Sequence, residues 1–176
     1  YSDLITRKLP MRFSLFSTLK FGIQAIEALY LLHKSGFVHR DIKPGNFVIG
    51  NTKQTSGTLY LIDFGLSKRK YRTNRIIAIP RTNIFKGTLR YASLNAHKGI
   101  ELSFGDDLLS LFFVLAEFYT GKLPWKDIND KTQVLKMKEK YLGGDLINEL
   151  PQEFLQIEKY ILELDYLSEP NNDLLI

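Results

Sequence analysis

The stretch HRDIKPGNF, residues 39–47, places Asp41, Lys43 and Asn46 close together, and DFG at residues 63–65 adds Asp63 downstream. Phosphoryl transfer asks little covalent participation of a protein. It asks for a nucleophile held in place and for neutralisation of the charge that spreads over phosphate oxygens. A carboxylate facing a hydroxyl, with oxygen ligands facing a metal-bound nucleotide, would supply both. Asp41 followed five positions later by Asn46 gives one such pair, and Asp63 gives a second metal ligand. A chance H-R-D-x-x-x-x-N match in a chain this long has odds of roughly one in a thousand. Taken singly, Asp41 and Asn46 are also ordinary turn formers, Asp63 an ordinary strand end and Asp107 an ordinary helix cap.

The elements that must position these residues are visible as periods. Leu15, Phe16, Leu19, Ile23, Ile26, Leu29 and Leu32 recur every three to four residues, predicting an amphipathic helix from Phe13 to Lys34 that Gly36 stops. GFVH reads as a short extended piece, and NFVIG and TLYLID as two strands joined by the polar NTKQTSG. Residues 64–100 show no sustained period and read as one long ordered loop. Asp106 and Asp107 suit a helix N-terminus, the apolar run continues through Tyr119, and Gly121 closes it. That helix is apolar on nearly every face, so it should be the central pillar of the domain. Two further helices are expected at 130–142 and 152–164.

The 176 residues suit one domain. Beginning on Tyr1 with no leader, the chain reads as an internal piece. No unbroken run of about 18 apolar residues occurs, so no membrane span is expected. The absence of cysteine excludes a disulfide framework and a thiolate zinc site. The net charge of +5 is uneven: between Asp63 and Glu101 stand nine basic residues and no acidic one, leaving the remainder at −4. That belt predicts an anionic partner at one segment, not a general nucleic-acid surface. Lys68, Arg69, Lys70, Arg72 and Arg75 are its candidate anion site, and Arg40 also needs a negative partner. His39 is expected to be a packed, hydrogen-bonded residue, and His33 and His97 have no partner at metal-ligand spacing.

In this order and context, HRDIKPGN and DFG resemble the catalytic and metal-binding loops of eukaryotic protein kinases. The resemblance covers nearly the whole chain as a C-terminal lobe. It implies an α+β, mainly α fold in which a small β-hairpin carries the metal-binding loop. Asp41 would accept or orient the proton of the substrate hydroxyl, Lys43 would reach the transferring phosphate, and Asn46 and Asp63 would hold magnesium beside ATP. Lysine at position 43 is similar to the serine/threonine branch. Thr88, in GTLRYAS, corresponds to the threonine that ties the substrate loop to the catalytic aspartate and lysine. Asp107 corresponds to the aspartate that anchors the catalytic-loop backbone.

Where most of these kinases carry A-P-E, this chain has Ser93, Leu94 and Asn95, which resembles the casein kinase 1 group. SLFFVLAEFYTGKLPW, DKTQVLKMKEKY and LDYLSEP are most similar to its tau-tubulin kinase branch. Phe104 and Gly105 depart from the basic residues that the group carries before the paired aspartates, which bears on any pocket for a phosphate already on the substrate. The resemblance therefore implies a serine/threonine protein kinase, with protein substrates that include acidic or phosphorylated ones. It implies no direct nucleic-acid or membrane contact, a monomer, and a cytoplasmic or nuclear setting. Ser67, Thr73 and Thr82 are candidate phosphorylation positions.

A glycine-rich loop, a small-lobe lysine and its glutamate partner are not found, so the N-terminal lobe is expected to be missing from residues 1–176, and the fragment alone to be inactive. The alternatives are a pseudokinase or interaction module lacking a nucleotide clamp, and a small-molecule phosphotransferase. Lys43 and the GTLRYAS loop favour a protein substrate over a small one.

Overall fold

The computed structural model describes residues 12–72, 75–76, 84–144, 146, 148 and 150–176. Thr73 and Thr82, and the side chains of Arg72 and Arg75, lie outside the described residues.

Helix α1, Leu15–Lys34, begins at Ser14, whose hydroxyl accepts the Ser17 N–H at 3.1 Å, and gives way to Gly36 at φ 82°. Its buried residues Thr18, Phe21, Gly22, Ala25, Ile26, Leu29 and His33 form one stripe. Gly22 permits close packing, since a Cβ there would stand 3.2 Å from Leu115. By length and composition, with hydropathy 1.3, α1 could cross a membrane, although it holds no unbroken apolar run. The average stays high because Phe16, Leu19, Ile23 and Leu31 are apolar outside the buried stripe.

The long helix of the core is Phe104–Thr120. Ser103 and Asp106 close a reciprocal capping box at its start, and Gly121 at φ 80° ends it. Every residue of this helix except Tyr119 is buried, as its apolar composition predicts. Phe118 meets Phe21 edge-on at 4.9 Å and Phe113 meets Trp125 at 5.1 Å, so α1 and the chain after Gly121 share one core.

Three small antiparallel pairs complete the architecture. β1, Phe37–Val38, pairs with β4, Lys68–Arg69. β2, Phe47–Ile49, pairs with β3, Leu59–Leu61, with Phe47 opposite Leu61. β5, Tyr71–Arg72, pairs with β6, Arg75–Ile76.

The segment 64–100 is therefore not one long loop. Besides β4, β5 and β6 it contains helix α2, Leu94–Lys98, started by the Ser93 hydroxyl and ended by Gly99 at φ 67°. Elements of two to five residues are shorter than the window in which a hydrophobic period shows. The long core helix is then α3, followed by α4, Lys131–Tyr141, and α5, Glu153–Glu163. Helices dominate the described chain, with three small two-stranded pairs beside them in sequence.

Candidate active site

The loop between β1 and β2 is held from beneath by α3. The Asp107 carboxylate, 1% exposed, accepts the backbone N–H groups of His39 and Arg40, both at 2.8 Å, and lies 2.9 Å from His33 Nε2. Two backbone donors and one ring donor on a buried carboxylate fix the loop's path. Arg40 takes φ 70°, an uncommon conformation for a residue with a Cβ. His39, fully buried, bridges the two functional loops: its Nδ1 accepts the Asp41 N–H at 3.3 Å and its Nε2 faces Ile62 O at 3.1 Å.

On this support the sequence-predicted residues Asp41, Lys43, Asn46 and Thr88 come together. Asp41 Oδ1 accepts the Thr88 hydroxyl at 2.7 Å, and Oδ2 lies 2.5 Å from Lys43 Nζ. The Asn46 amide nitrogen donates to the Asp41 carbonyl at 2.8 Å. Because that carbonyl needs a donor, the amide orientation is set, and Asn46 Oδ1 points elsewhere as an open acceptor. Asn46 is joined to the strand before Asp63 through the Ile62 N–H, which donates to Asn46 O at 2.9 Å. Asp63 is exposed at φ 63°, with Oδ1 accepting the Gly65 N–H at 3.3 Å.

Asn46 Oδ1 and the Asp63 carboxylate are hard oxygen donors on adjoining strand ends, a donor set that suits magnesium shared with phosphates and water. Among the described residues no cluster of three or more His, Cys, Asp or Glu forms a protein-only metal cage. A nucleotide-shared metal needs none.

Thr88 is carried by the loop 87–93, which is tied down at several points. Gly87 has φ 99°, and a Cβ there would come within 2.8 Å of Arg40 O. The Tyr91 hydroxyl donates to Glu117 at 2.5 Å, Arg90 Nη1 lies 3.2 Å from the same carboxylate, and Trp125 Nε1 donates to Arg90 O at 2.8 Å. Burial, then the neighbouring Glu117, push the Tyr91 phenol up, so it remains a donor.

Arg40 finds its negative partner in Glu101, a residue that sequence reasoning missed. Glu101, 5% exposed, lies 3.6 Å from Arg40 Nη1 and also pairs with Lys68 Nζ. Burial lowers the Arg40 guanidinium from its usual value, while Glu101 and Asp107 act against that fall. This corrects the proposed anion cluster, since Lys68 is already engaged by a carboxylate. Lys70 does not face solvent. It is 2% exposed, donates to Ser168 O at 3.2 Å and lies 4.0 Å from the Phe104 ring centre. Among the described side chains of the cluster Arg69 is the exposed one, over the Phe37 ring at 5.1 Å. Phe104 is 3% exposed and stacks on His33 at 4.4 Å, so it serves packing.

A family profile described as protein kinase domain matches residues 2–173. A Dictyostelium discoideum protein bearing the name of a probable serine/threonine-protein kinase is 44% identical over 171 residues, covering 97% of this chain and 34% of that protein. The chain thus spans about a third of the length of this curated relative.

Proposed function

The chain belongs to the protein kinase domain family, and from that premise we propose that it transfers the γ-phosphoryl group of ATP to serine or threonine hydroxyls of proteins. The observation that carries this reading is the convergence on Asp41 of Thr88, Lys43 and Asn46. A binding module has no physical need of all four.

In the proposed reaction Asp41 takes the proton of the substrate hydroxyl as its oxygen attacks the γ-phosphorus, and the bond to the ADP oxygen breaks. Thr88 and Lys43 hold the two carboxylate oxygens, so Asp41 keeps one orientation without reorganisation. Lys43, partly exposed beside the Asp41 carboxylate, would reach toward the transferring phosphate. Asn46 and Asp63 would hold magnesium, which when bound neutralises the phosphate charge.

We read residues 1–176 as the large lobe of a casein kinase 1-like enzyme of the tau-tubulin branch, the features SLN at 93–95 and LPW at 123–125 supporting that placement. Val48, Tyr60, Ile62 and Phe64 are exposed apolar residues around the hairpin, a surface suited to an adenine ring and a second lobe. Among the described side chains of the run 68–70, Arg69 is the exposed one and would favour acidic substrates.

The test is Asp41→Asn in the protein as encoded, assayed for radiolabelled transfer to casein-like peptides and to aminoglycosides. Transfer to peptides that falls about a thousandfold or more, with the unfolding midpoint unchanged, is expected. Retained peptide phosphorylation refutes the assignment of Asp41, and transfer to aminoglycosides alone refutes the substrate class.

A further inference from the structure

Lys138 lies in the last turn of α4, where Lys136 and Lys140 beside it are exposed, yet it is fully buried. Its Nζ is 3.0 Å from Leu89 O, 2.6 Å from Ala92 O and 3.2 Å from His97 Nε2. The rings of Phe113 and Trp125 lie at 4.9 and 5.4 Å. No carboxylate touches it in the described structure. Both carbonyls belong to the loop that carries Thr88, and the histidine belongs to α2, which follows that loop.

We propose that Lys138 is a positioning residue for phosphoryl transfer, its amine clamping the loop 88–93 so that Thr88 meets Asp41. The inference rests on the kinase reading above. Among the described residues no hydrogen bond or ion pair joins α4 to Asp41, so Lys138 acts through the loop. Trp125 holds the intervening Arg90 carbonyl, and three successive supports therefore set the loop's height over the catalytic aspartate.

The proton inventory assigns the amine its form. An ammonium has three donors and would require His97 Nε2 to accept, which places the imidazole proton on Nδ1. Buried Nδ1 has no hydrogen-bond partner among the described residues, and a buried donor without an acceptor is costly. With the proton on Nε2 instead, His97 donates to a neutral amine, which in turn donates to the two carbonyls, and every donor is used. Burial acts in the same direction, drawing Lys138 down to about 6, and burial together with Lys138 and Lys131 draws His97 down to about 4. Of the other charged groups on these two helices, Lys98 and Glu139 pair with each other at 2.8 Å on the surface, Lys136 and Lys140 are exposed, and Lys131 lies over the Phe85 ring at 5.2 Å. Both the donor count and burial favour the uncharged form of the clamp, so acidification works against it.

The experiment is Lys138→Met in the protein as encoded, which keeps the length of the side chain and removes the amine. Peptide KM is expected to rise and peptide kcat/KM to fall about tenfold, with the KM for ATP unchanged, because Asn46 and Asp63 do not touch this loop. Equal losses for ATP and peptide, or wild-type peptide kinetics, overturn the proposal. Hydrogen exchange supplies an arm independent of catalysis. Amides 88–93 should lose protection in the variant while those of α3 keep theirs, and unchanged protection at 88–93 overturns the clamp even if Asp41 proves to be the base. Should Lys138→Met not fold, His97→Asn, which alters only the third contact, is expected to raise peptide KM by a smaller factor. A wild-type peptide KM in that variant from pH 5.5 to 8 would equally overturn the proposal.

Discussion

Replacing Asp107 should damage stability and turnover together, in contrast to Asp41. Its carboxylate is 1% exposed and is the acceptor for two backbone N–H groups at 2.8 Å, with His33 beside it at 2.9 Å. A hydrogen bond to a charged acceptor contributes about 1.5–3 kcal/mol, and a buried donor left without a partner costs about 1–3 kcal/mol. In Asp107→Asn one oxygen still accepts, while the new amide faces the second backbone donor, so one of the two bonds becomes a repulsive contact. The expected loss is about 2–4 kcal/mol for Asn and about 3–5 kcal/mol for Ala, large against a domain stability of about 5–15 kcal/mol. Urea unfolding measures it. The loop then loses the support that holds Arg40 at φ 70°, and a displacement of about 1 Å at Asp41 costs about a hundredfold in kcat. An Asp107→Asn protein within about 0.5 kcal/mol of wild type, with wild-type kcat, would refute the claim that α3 anchors the catalytic loop.

Gly87→Ala should also lower kcat, since its Cβ would stand 2.8 Å from Arg40 O at φ 99°; a cost of about 1–3 kcal/mol is expected, and wild-type stability and kcat would show that the close approach is not needed. Stability should rise with pH through the clamp. Lys138, at about 6 in the fold against 10.5 unperturbed, and His97, at about 4 against 6.5, both bind fewer protons folded than unfolded. Between about pH 6.5 and 8 the lysine dominates and the slope approaches about 1.4 kcal/mol per pH unit. A flat slope in urea unfolding over that interval refutes it, and Lys138→Met should flatten it.

The candidate site residues could be grouped from the sequence because their spacing is local. Asp41, Lys43 and Asn46 sit within one loop, and Asp63 follows the strand that pairs with β2, so the order of residues already carries most of their geometry. α1 and α3 were legible for a similar reason, since each is long enough to show its period and each ends at a glycine with positive φ. α2 and the two-residue strands were not, being too short to repeat anything.

The remaining gaps share a different cause. Glu101 lies far along the chain from Arg40, and nothing in a string of residues says that one buried carboxylate meets both Arg40 and Lys68. Lys70 and Lys138 look like solvated lysines because the groups that receive them are the main-chain oxygens of Ser168, Leu89 and Ala92. Backbone acceptors are identical at every position, so a sequence records a cation without recording where it is satisfied. Charge counting overstates the cationic belt for that reason. Two of its three described central members, Lys68 and Lys70, act within the fold, and Arg69 is left facing outward. Of the described side chains in that cluster, Arg69 is therefore the one that an acidic substrate would meet, and the count of charges along the run overstates what the fold presents.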